Sequence, residues 1–95
     1  MHFVLSYEKA PGYEERQKPY SAAHLAYLEG LVRQGHLLLA GNLGNPADGS
    51  ALLLFQAASS DAIKAFAQND PYVLHGIISR WSVRPWDTAL GTLPH

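Results

Sequence analysis

Residues 20–35 read YSAAHLAYLEGLVRQG, and this stretch determines the predicted fold. Its apolar side chains recur at helical spacing and form a single stripe. They are Leu25, Leu28, Leu31 and Val32. At about 100° per residue, His24 projects between Leu28 and Leu31, inside that stripe. A titratable ring on a buried face needs a polar partner, and the sequence offers Asp70 in the stretch NDPY at 69–72.

Composition limits the class of protein. Ninety-five residues, 47% of them hydrophobic, are enough for one domain with a modest core. The formal net charge of -1 leaves no basic excess to hold nucleic acid or an anionic membrane. The chain has no cysteine, no signal-peptide pattern and no apolar run near the roughly 20 residues that span a bilayer. We expect a small soluble cytoplasmic protein without a nucleic-acid or membrane partner.

The first half of the chain predicts a strand, a loop and a helix. Residues 2–8 alternate between two faces, as a strand does. Residues 9–19 are polar and contain two prolines and a glycine, which predicts a mobile loop. The helix is expected over about 20–34, with Ser21 as its N-cap and Gly35 just past its end.

The second half predicts a hairpin, a second helix and a last strand. Residues 36–41 and 51–57 are short apolar runs that predict the two strands of the hairpin. The stretch between them, 42–50, is rich in Gly, Asn, Asp and Pro and predicts its loop. A second helix is expected to begin at Ser59 or Ser60, where a hydroxyl side chain suits an N-cap.

The end of that helix is set by a proline. A residue before proline is disfavoured in helical geometry, so the helix is expected to stop near Asn69. Asp70 and Pro71 then suit the N-cap and first position of another short helix that ends at Gly76. Residues 77–86 alternate as a fourth strand, and 87–95 are expected to form a tail to this single domain of residues 1–95.

The element order βαββαβ predicts an α+β fold: a four-stranded antiparallel sheet with two helices on one face and the first and third strands central. Both faces of these central strands carry apolar side chains, including Val4, Leu52 and Leu54. Two helices cover only one face, whereas a one-sided sheet alternates apolar and polar residues. We therefore expect a homodimer packed sheet against sheet; the alternative is a monomer in which the loop and the tail cover the open face.

His24 and Asp70 together suggest acid–base chemistry. Imidazole titrates near neutral pH, and a carboxylate that accepts the proton of one ring nitrogen fixes the tautomer and makes the other nitrogen more basic. Each residue also has a simpler interpretation. His24 suits a buried, hydrogen-bonded histidine, and Asp70 suits ordinary helix capping.

Three other residues are candidates for substrate contact. Ser21 lies one helical turn before His24, and Tyr72 suits a pocket wall or the core. Arg80, on the last strand, suits a carboxylate or phenolate ligand, although such side chains are more often solvated or paired. No metal site is expected, because the histidines form no close helical pair and HExxH is absent.

The motifs also carry a resemblance to a known family. Ala23-His24-Leu25 on the helix, LLAG at 38–41, NDPY at 69–72 and VRPW at 83–86 occur in an order that resembles the YCII-related (YciI-like) family, over roughly residues 2–87. The resemblance implies a ferredoxin-like fold that forms a dimeric α/β barrel. It also implies an active site in which His24 and Asp70 match the family's His–Asp pair.

The resemblance limits the reaction only loosely. A few members are similar to dehydrochlorinases of chlorinated hydroxyquinols, and the wider superfamily includes muconolactone-isomerase-like enzymes and small monooxygenases. Many members carry an arginine three residues before the histidine, where this chain has Ser21. An anion bound by that arginine would need another partner here, such as Arg16 or Arg80.

Three hypotheses follow for function. The first is a lyase, isomerase or dehydrochlorinase-like enzyme, without a cofactor, in which His24 held by Asp70 moves a proton on a small cyclic or aromatic substrate. The second is a non-catalytic module that binds a small-molecule metabolite or assists a partner. The third is structural, with His24 and Asp70 satisfying each other's hydrogen bonds in the interior.

Overall fold

The structure is a computed structural model that describes residues 1–91. Its strands are β1 (His2–Lys9), β2 (Leu37–Gly44), β3 (Ala47–Gln56) and β4 (Ile78–Trp86). Its helices are α1 (Tyr13–Arg16), α2 (Ser21–Arg33), α3 (Ser60–Gln68) and α4 (Pro71–Leu74). The strands form one antiparallel sheet in the order β2-β3-β1-β4. The predicted α+β architecture, with the first and third strands at the centre, is confirmed.

Strand alternation decides which side of the sheet becomes the core. Phe3, Leu5 and Tyr7 of β1 are all buried and share one face. Register places Leu5 opposite Leu53 and Phe3 opposite Phe55, so the central strands present one continuous apolar surface. The helices α2 and α3 contribute their buried side chains to the same cluster, which places both on this face of the sheet.

Residues 9–19 differ from the predicted mobile loop. They contain α1 and a 3₁₀ turn over Lys18–Tyr20 that leads directly into α2. The backbone N–H of Ala10 donates to the carbonyl of Ile77 (2.8 Å). This bond holds the start of the segment against the residue that precedes β4. Because the 3₁₀ turn supplies the preceding backbone, Ser21 is the first residue of α2 and not its N-cap.

The hairpin loop predicted over 42–50 is also wrong. β2 and β3 continue pairing through Gly44 and Ala47, so only a tight turn separates them. The polar and glycine residues of this stretch are compatible with a strand because backbone groups alone supply the ladder. Gly44 is required here: its φ is 88°, and a Cβ would lie 2.7 Å from the carbonyl oxygen of Pro46.

Helix ends follow the sequence closely elsewhere. α2 stops before Gly35, whose φ of 80° is the left-handed conformation expected after a helix. Asp70 is the N-cap of α4, and Pro71 occupies its first position, as predicted. The predicted tail has neither helix nor strand from 87 to 91, and residues 92–95 lie outside the described residues. Among residues 1–91, no helix has the length and apolar character needed to cross a membrane.

Candidate active site

Asp70 is a fully buried carboxylate in which each oxygen has a hydrogen-bond donor. Its exposed fraction is 0%. Oδ1 accepts from the backbone N–H of Tyr72 at 3.0 Å, which is the capping bond of α4, and Oδ2 accepts from the hydroxyl of Tyr7 at 2.8 Å. A buried charge is tolerated when hydrogen bonds replace its hydration. These two hydrogen bonds therefore fix the position of the carboxylate and leave it able to accept a further hydrogen bond.

His24 supplies that donor. Nδ1 of its ring lies 2.7 Å from Oδ1 of Asp70. An ionised carboxylate only accepts, so we assign the ring proton to Nδ1. In the neutral imidazole Nε2 is then unprotonated, and it makes no hydrogen bond to another residue of the described chain. The side chain is 18% exposed, so solvent or a ligand has access to the ring. This arrangement presents an oriented base next to open space.

Tyr72 fixes the plane of the imidazole. The two rings stack with centroids 3.7 Å apart and an angle of 3° between their planes. The Ser21 hydroxyl donates to the carbonyl of Gln17 (2.9 Å), so its single proton is already used. The Tyr72 hydroxyl, 2.9 Å from the Ser21 oxygen, must therefore be the donor in that pair. Ser21 thus helps to position Tyr72, and Tyr72 in turn positions the His24 ring.

Tyr7 completes the buried network from the sheet side. Burial raises the pKa of its hydroxyl well above the ordinary value of 10.0, and the negative charge of Asp70 raises it further. Burial also raises the pKa of Tyr27, with a smaller contribution from Asp70. Tyr7 consequently stays protonated and remains a donor to the carboxylate throughout the neutral range.

An open pocket of about 410 Å³ lies between α2 and the β2 side of the sheet. That volume is within the range that holds small ligands. Most of the wall is apolar, from Leu25, Leu28, Val32, Leu37, Leu38, Leu39, Ala40, Gly41, Ala51 and Leu53. The polar groups that line it are Tyr7, Lys9, His24, Glu29, Asn42 and Tyr72. The site therefore combines an apolar cavity with the base at one wall.

The apolar stripe of α2 is only partly a core stripe. Leu31 is buried, as the periodicity predicts, but Leu25 is 56% exposed and Val32 is 52% exposed. Both line the pocket instead. Helical spacing shows which side chains share a face, whereas the distance from that face to the sheet depends on the neighbouring elements.

The structure does not bring the two candidate arginines into the pocket. The Arg16 guanidinium contacts the carbonyl of Gly76 at 3.4 Å and is exposed. Arg80 lies opposite Glu8 in the strand register and 3.8 Å from its carboxylate. Since Glu8 alternates with Tyr7, Arg80 is on the face of the sheet away from the helices.

Tyr7 and Lys9 were not among the residues singled out in the sequence, although both line the pocket. A signal for them exists. Phe3, Leu5, Tyr7 and Lys9 occupy every second position of β1, and a strand that extends one residue further than predicted puts Lys9 on the core face. The polar character of residues 9–19 concealed it. Among residues 1–91, no three His, Asp or Glu side chains come together as metal ligands do.

Comparison with known proteins gives a family and a structural relative. The YCII-related domain matches residues 1–87. The 5-chloro-2-hydroxyhydroquinone dehydrochlorinase TftG from Burkholderia phenoliruptrix AC1100, solved with 2,5-dihydroxybenzoquinone, superposes with a TM-score of 0.79 and 26% identity, over 94% of this chain and 96% of that one. Protein Atu4242 from Agrobacterium tumefaciens is more distant, with a TM-score of 0.49 and 10% identity over 87% and 88% of the two chains. No curated protein matches the sequence.

Proposed function

Because the chain belongs to the YCII-related family, we propose that it is a small-molecule enzyme of the lyase or isomerase type, which works without a cofactor. One observation carries the proposal: the hydrogen bond of 2.7 Å from His24 Nδ1 to the buried Asp70, which leaves Nε2 as the base beside the pocket. The likeness to a dehydrochlorinase over nearly the whole chain supports the same class of chemistry.

The proposed step is a proton transfer. Nε2 of His24 takes a proton from a carbon or hydroxyl of a small cyclic or aromatic substrate, and Asp70 stabilises the imidazolium that forms. On a chlorinated hydroxyquinol, a hydroxyl proton first moves to the chlorine-bearing ring carbon, which gives a keto tautomer. His24 then takes the proton of a second hydroxyl, whose electron pair forms a carbonyl as the C–Cl bond breaks and chloride leaves. The net change is loss of HCl, which requires no oxidant or reductant. The mainly apolar pocket suits an aromatic or quinonoid ring.

The test uses 5-chloro-2-hydroxyhydroquinone as the probe and chloride release as the readout. His24→Ala is expected to lower turnover by about 10²–10⁴-fold, the contribution typical of a positioned acid–base group. Asp70→Asn is expected to do so as well, because an amide does not enforce the same tautomer or stabilise the imidazolium. His2→Gln, at the far end of β1, is the matched histidine control and should retain wild-type turnover.

Three results distinguish the alternatives. Full turnover in His24→Ala would contradict the proton-transfer mechanism. Tight binding of 2,5-dihydroxybenzoquinone with no turnover of any tested substrate would favour a non-catalytic binding module, which the apolar character of the pocket also suits. Loss of stability in His24→Ala with unchanged ligand affinity would leave the pair a structural role only.

We also propose that the protein is a homodimer joined through the open face of the sheet. Leu52 is 39% exposed on that face, where register pairs it with Ser6 and Gly41. Leu39, which is 44% exposed and also lines the pocket, pairs with Leu54 of the same face. A second copy would bury these side chains against their equivalents. Light scattering at micromolar concentration should give twice the mass of the chain, and a stable monomer would contradict the dimer.

A further inference from the structure

Lys9 is a cation placed in the wall of the pocket by the geometry of β1. It follows Tyr7 by two residues and so shares the helix-covered face of the sheet. The pairing of β1 with β4 shifts register between Glu8 and Lys9, at the very end of the strand. Lys9 consequently reaches the pocket from the strand that also carries the buried donor to Asp70.

The charge of Lys9 has no carboxylate partner within salt-bridge distance among the described residues. Its ammonium donates to the neutral amide oxygen of Gln17 at 3.2 Å. It also lies 4.9 Å from the ring centroid of Tyr13 and 5.7 Å from that of Tyr72. An ammonium has three N–H groups, so donors remain for a ligand. The side chain is half-buried, and burial lowers the pKa of Lys9 below 10.5.

The position of Lys9 relative to the base favours one kind of ligand. Tyr72 stacks on His24, and its ring centroid also lies 5.7 Å from the Lys9 ammonium. An oxyanion held by Lys9 would therefore keep the attached ring close to the imidazole. The other charged residue of the wall, Glu29, is exposed at the rim on α2 and would not attract an anion.

We propose that Lys9 recognises an oxyanion attached to an aromatic or quinonoid ring, so that the pocket selects such anions over neutral rings of the same shape. The apolar wall contacts the ring, and the ammonium binds the charged oxygen. This inference rests on the proposed function only in taking the pocket as the substrate site. It assigns Lys9 to recognition and orientation of the ligand, whereas His24 carries the proton.

The test compares three nitro-substituted rings at a mildly alkaline pH: 4-nitrophenolate, 4-nitrobenzoate and neutral 4-nitroanisole. Binding is measured by calorimetry and by the shift of the His24 ring protons in NMR spectra. The wild type should prefer the anions. Lys9→Met keeps the length of the stem but removes the charge, and it should weaken binding of the preferred anion about tenfold, while 4-nitroanisole binds unchanged. The two anions separate a phenolate from a carboxylate preference.

Two further variants control for charge and fold. Lys64→Met removes an exposed lysine on α3 and should bind all three probes as the wild type does. Lys9→Arg keeps a cation and should restore the preference for an anion. An unchanged anion affinity in Lys9→Met would overturn the proposal. Equal weakening of all three probes would also overturn it, because the stem would then only shape the wall.

Failure of this inference is distinguishable from failure of the proposed function. If no substrate turns over in the wild type while Lys9→Met still loses anion preference, the recognition role stands and the catalytic proposal fails. If turnover depends on His24 but the wild type binds 4-nitroanisole as tightly as the anions, the catalytic proposal stands and the role of Lys9 is wrong.

Discussion

The two main helices lie on the same face of one sheet but are held there differently. On α3, Ile63 and Ala67 are both fully buried, and the helix contributes two core positions in nine residues. On α2, only Leu31 of thirteen residues is buried. By this measure α3 makes the closer contact with the core and α2 the looser one. The pocket lies beneath the helix that makes the looser contact.

Polar bonds replace apolar burial along α2. Ser21, His24 and Tyr27 follow one another at intervals of three residues and so share a face of the helix. The Ser21 oxygen bonds the Tyr72 hydroxyl, His24 bonds Asp70, and the Tyr27 hydroxyl donates to the carbonyl of Phe66 at 2.7 Å. The difference between the helices indicates that α3 serves stability, whereas α2 divides its surface between anchoring and pocket.

The largest expected effect comes from α3, whose two core side chains are fully buried. Ile63→Ala should lower the free energy of unfolding by about 2–5 kcal/mol, because it removes fully buried volume that the core cannot refill. The matched change on α2, Leu25→Ala, should lower the free energy of unfolding by less than about 1 kcal/mol, because that side chain is already half-exposed. Urea unfolding followed by circular dichroism measures both.

Ligand binding should show the reverse order. Leu25 lines the pocket, so Leu25→Ala should weaken binding of 4-nitroanisole, whereas Ile63→Ala should leave it unchanged under conditions where the variant is folded. Similar stability losses for the two variants would mean that α2 is packed as tightly as α3. The contrast between the helices would then be wrong.

The same contrast explains which parts of the structure the sequence can predict. Alternation in β1 and β3, the Asp70-Pro71 start of α4 and the glycine after α2 each depend on local geometry, and the structure agrees with them. The exposure of Leu25 depends on how far α2 stands from the sheet, which no local pattern specifies. The extension of the hairpin depends on backbone pairing, to which side-chain composition is a weak guide.

The site was predictable to a similar degree. His24 is conspicuous because a polar ring interrupts an apolar stripe, and Asp70 because it precedes proline. Their contact of 2.7 Å joins residues 46 apart, and that requires the whole fold. Arg80 illustrates the limit: alternation shows that it shares a face with Arg84, but only strand order and register show that the face is the one without helices.

A smaller effect is expected from the buried donor of the network. Tyr7→Phe leaves Oδ2 of Asp70 without its hydrogen bond, which should lower the free energy of unfolding by about 1–3 kcal/mol. Tyr27→Phe removes a bond to a neutral carbonyl and should cost about 0.5–1.5 kcal/mol. Denaturant titration at neutral pH compares them. Equal losses would mean that the charge of Asp70 does not strengthen its anchoring.

Alkaline pH tests the same bond independently. The pKa of Tyr7 is raised in the folded protein, so above pH 10 the unfolded chain loses a proton that the folded chain keeps. Stability must therefore fall as pH rises above 10, and the fall should be shallower in Tyr7→Phe. Tyr27 contributes in the same direction, so the variant keeps part of the slope. An unchanged slope would show that Tyr7 ionises normally.

The smallest expected effect is the pH dependence of ligand affinity in the pocket beneath α2. Burial lowers the pKa of Lys9 below its ordinary 10.5, so its charge is present at neutral pH and is lost as pH rises through that lowered value. Affinity for 4-nitrophenolate should accordingly decline before pH 10.5, by up to about tenfold, while the probe itself stays ionised. The titratable groups around Lys9 are Tyr13 and Tyr72, with Tyr7, His24 and Glu29 also lining the pocket.

In that pH window the contribution of Lys9 to folding stability rises with pH, whereas the affinity for the anion falls. Between the lowered pKa and 10.5 the unfolded chain binds the lysine proton and the folded chain does not, so the contribution of Lys9 to stability increases with pH. Below pH 10, where the tyrosines do not yet lower stability, weaker anion binding with no loss of stability would thus separate deprotonation of Lys9 from unfolding. Lys9→Met should show a flat affinity over the same range. A parallel decline of affinity in that variant would assign the pH dependence to another group in the pocket that lies beneath α2.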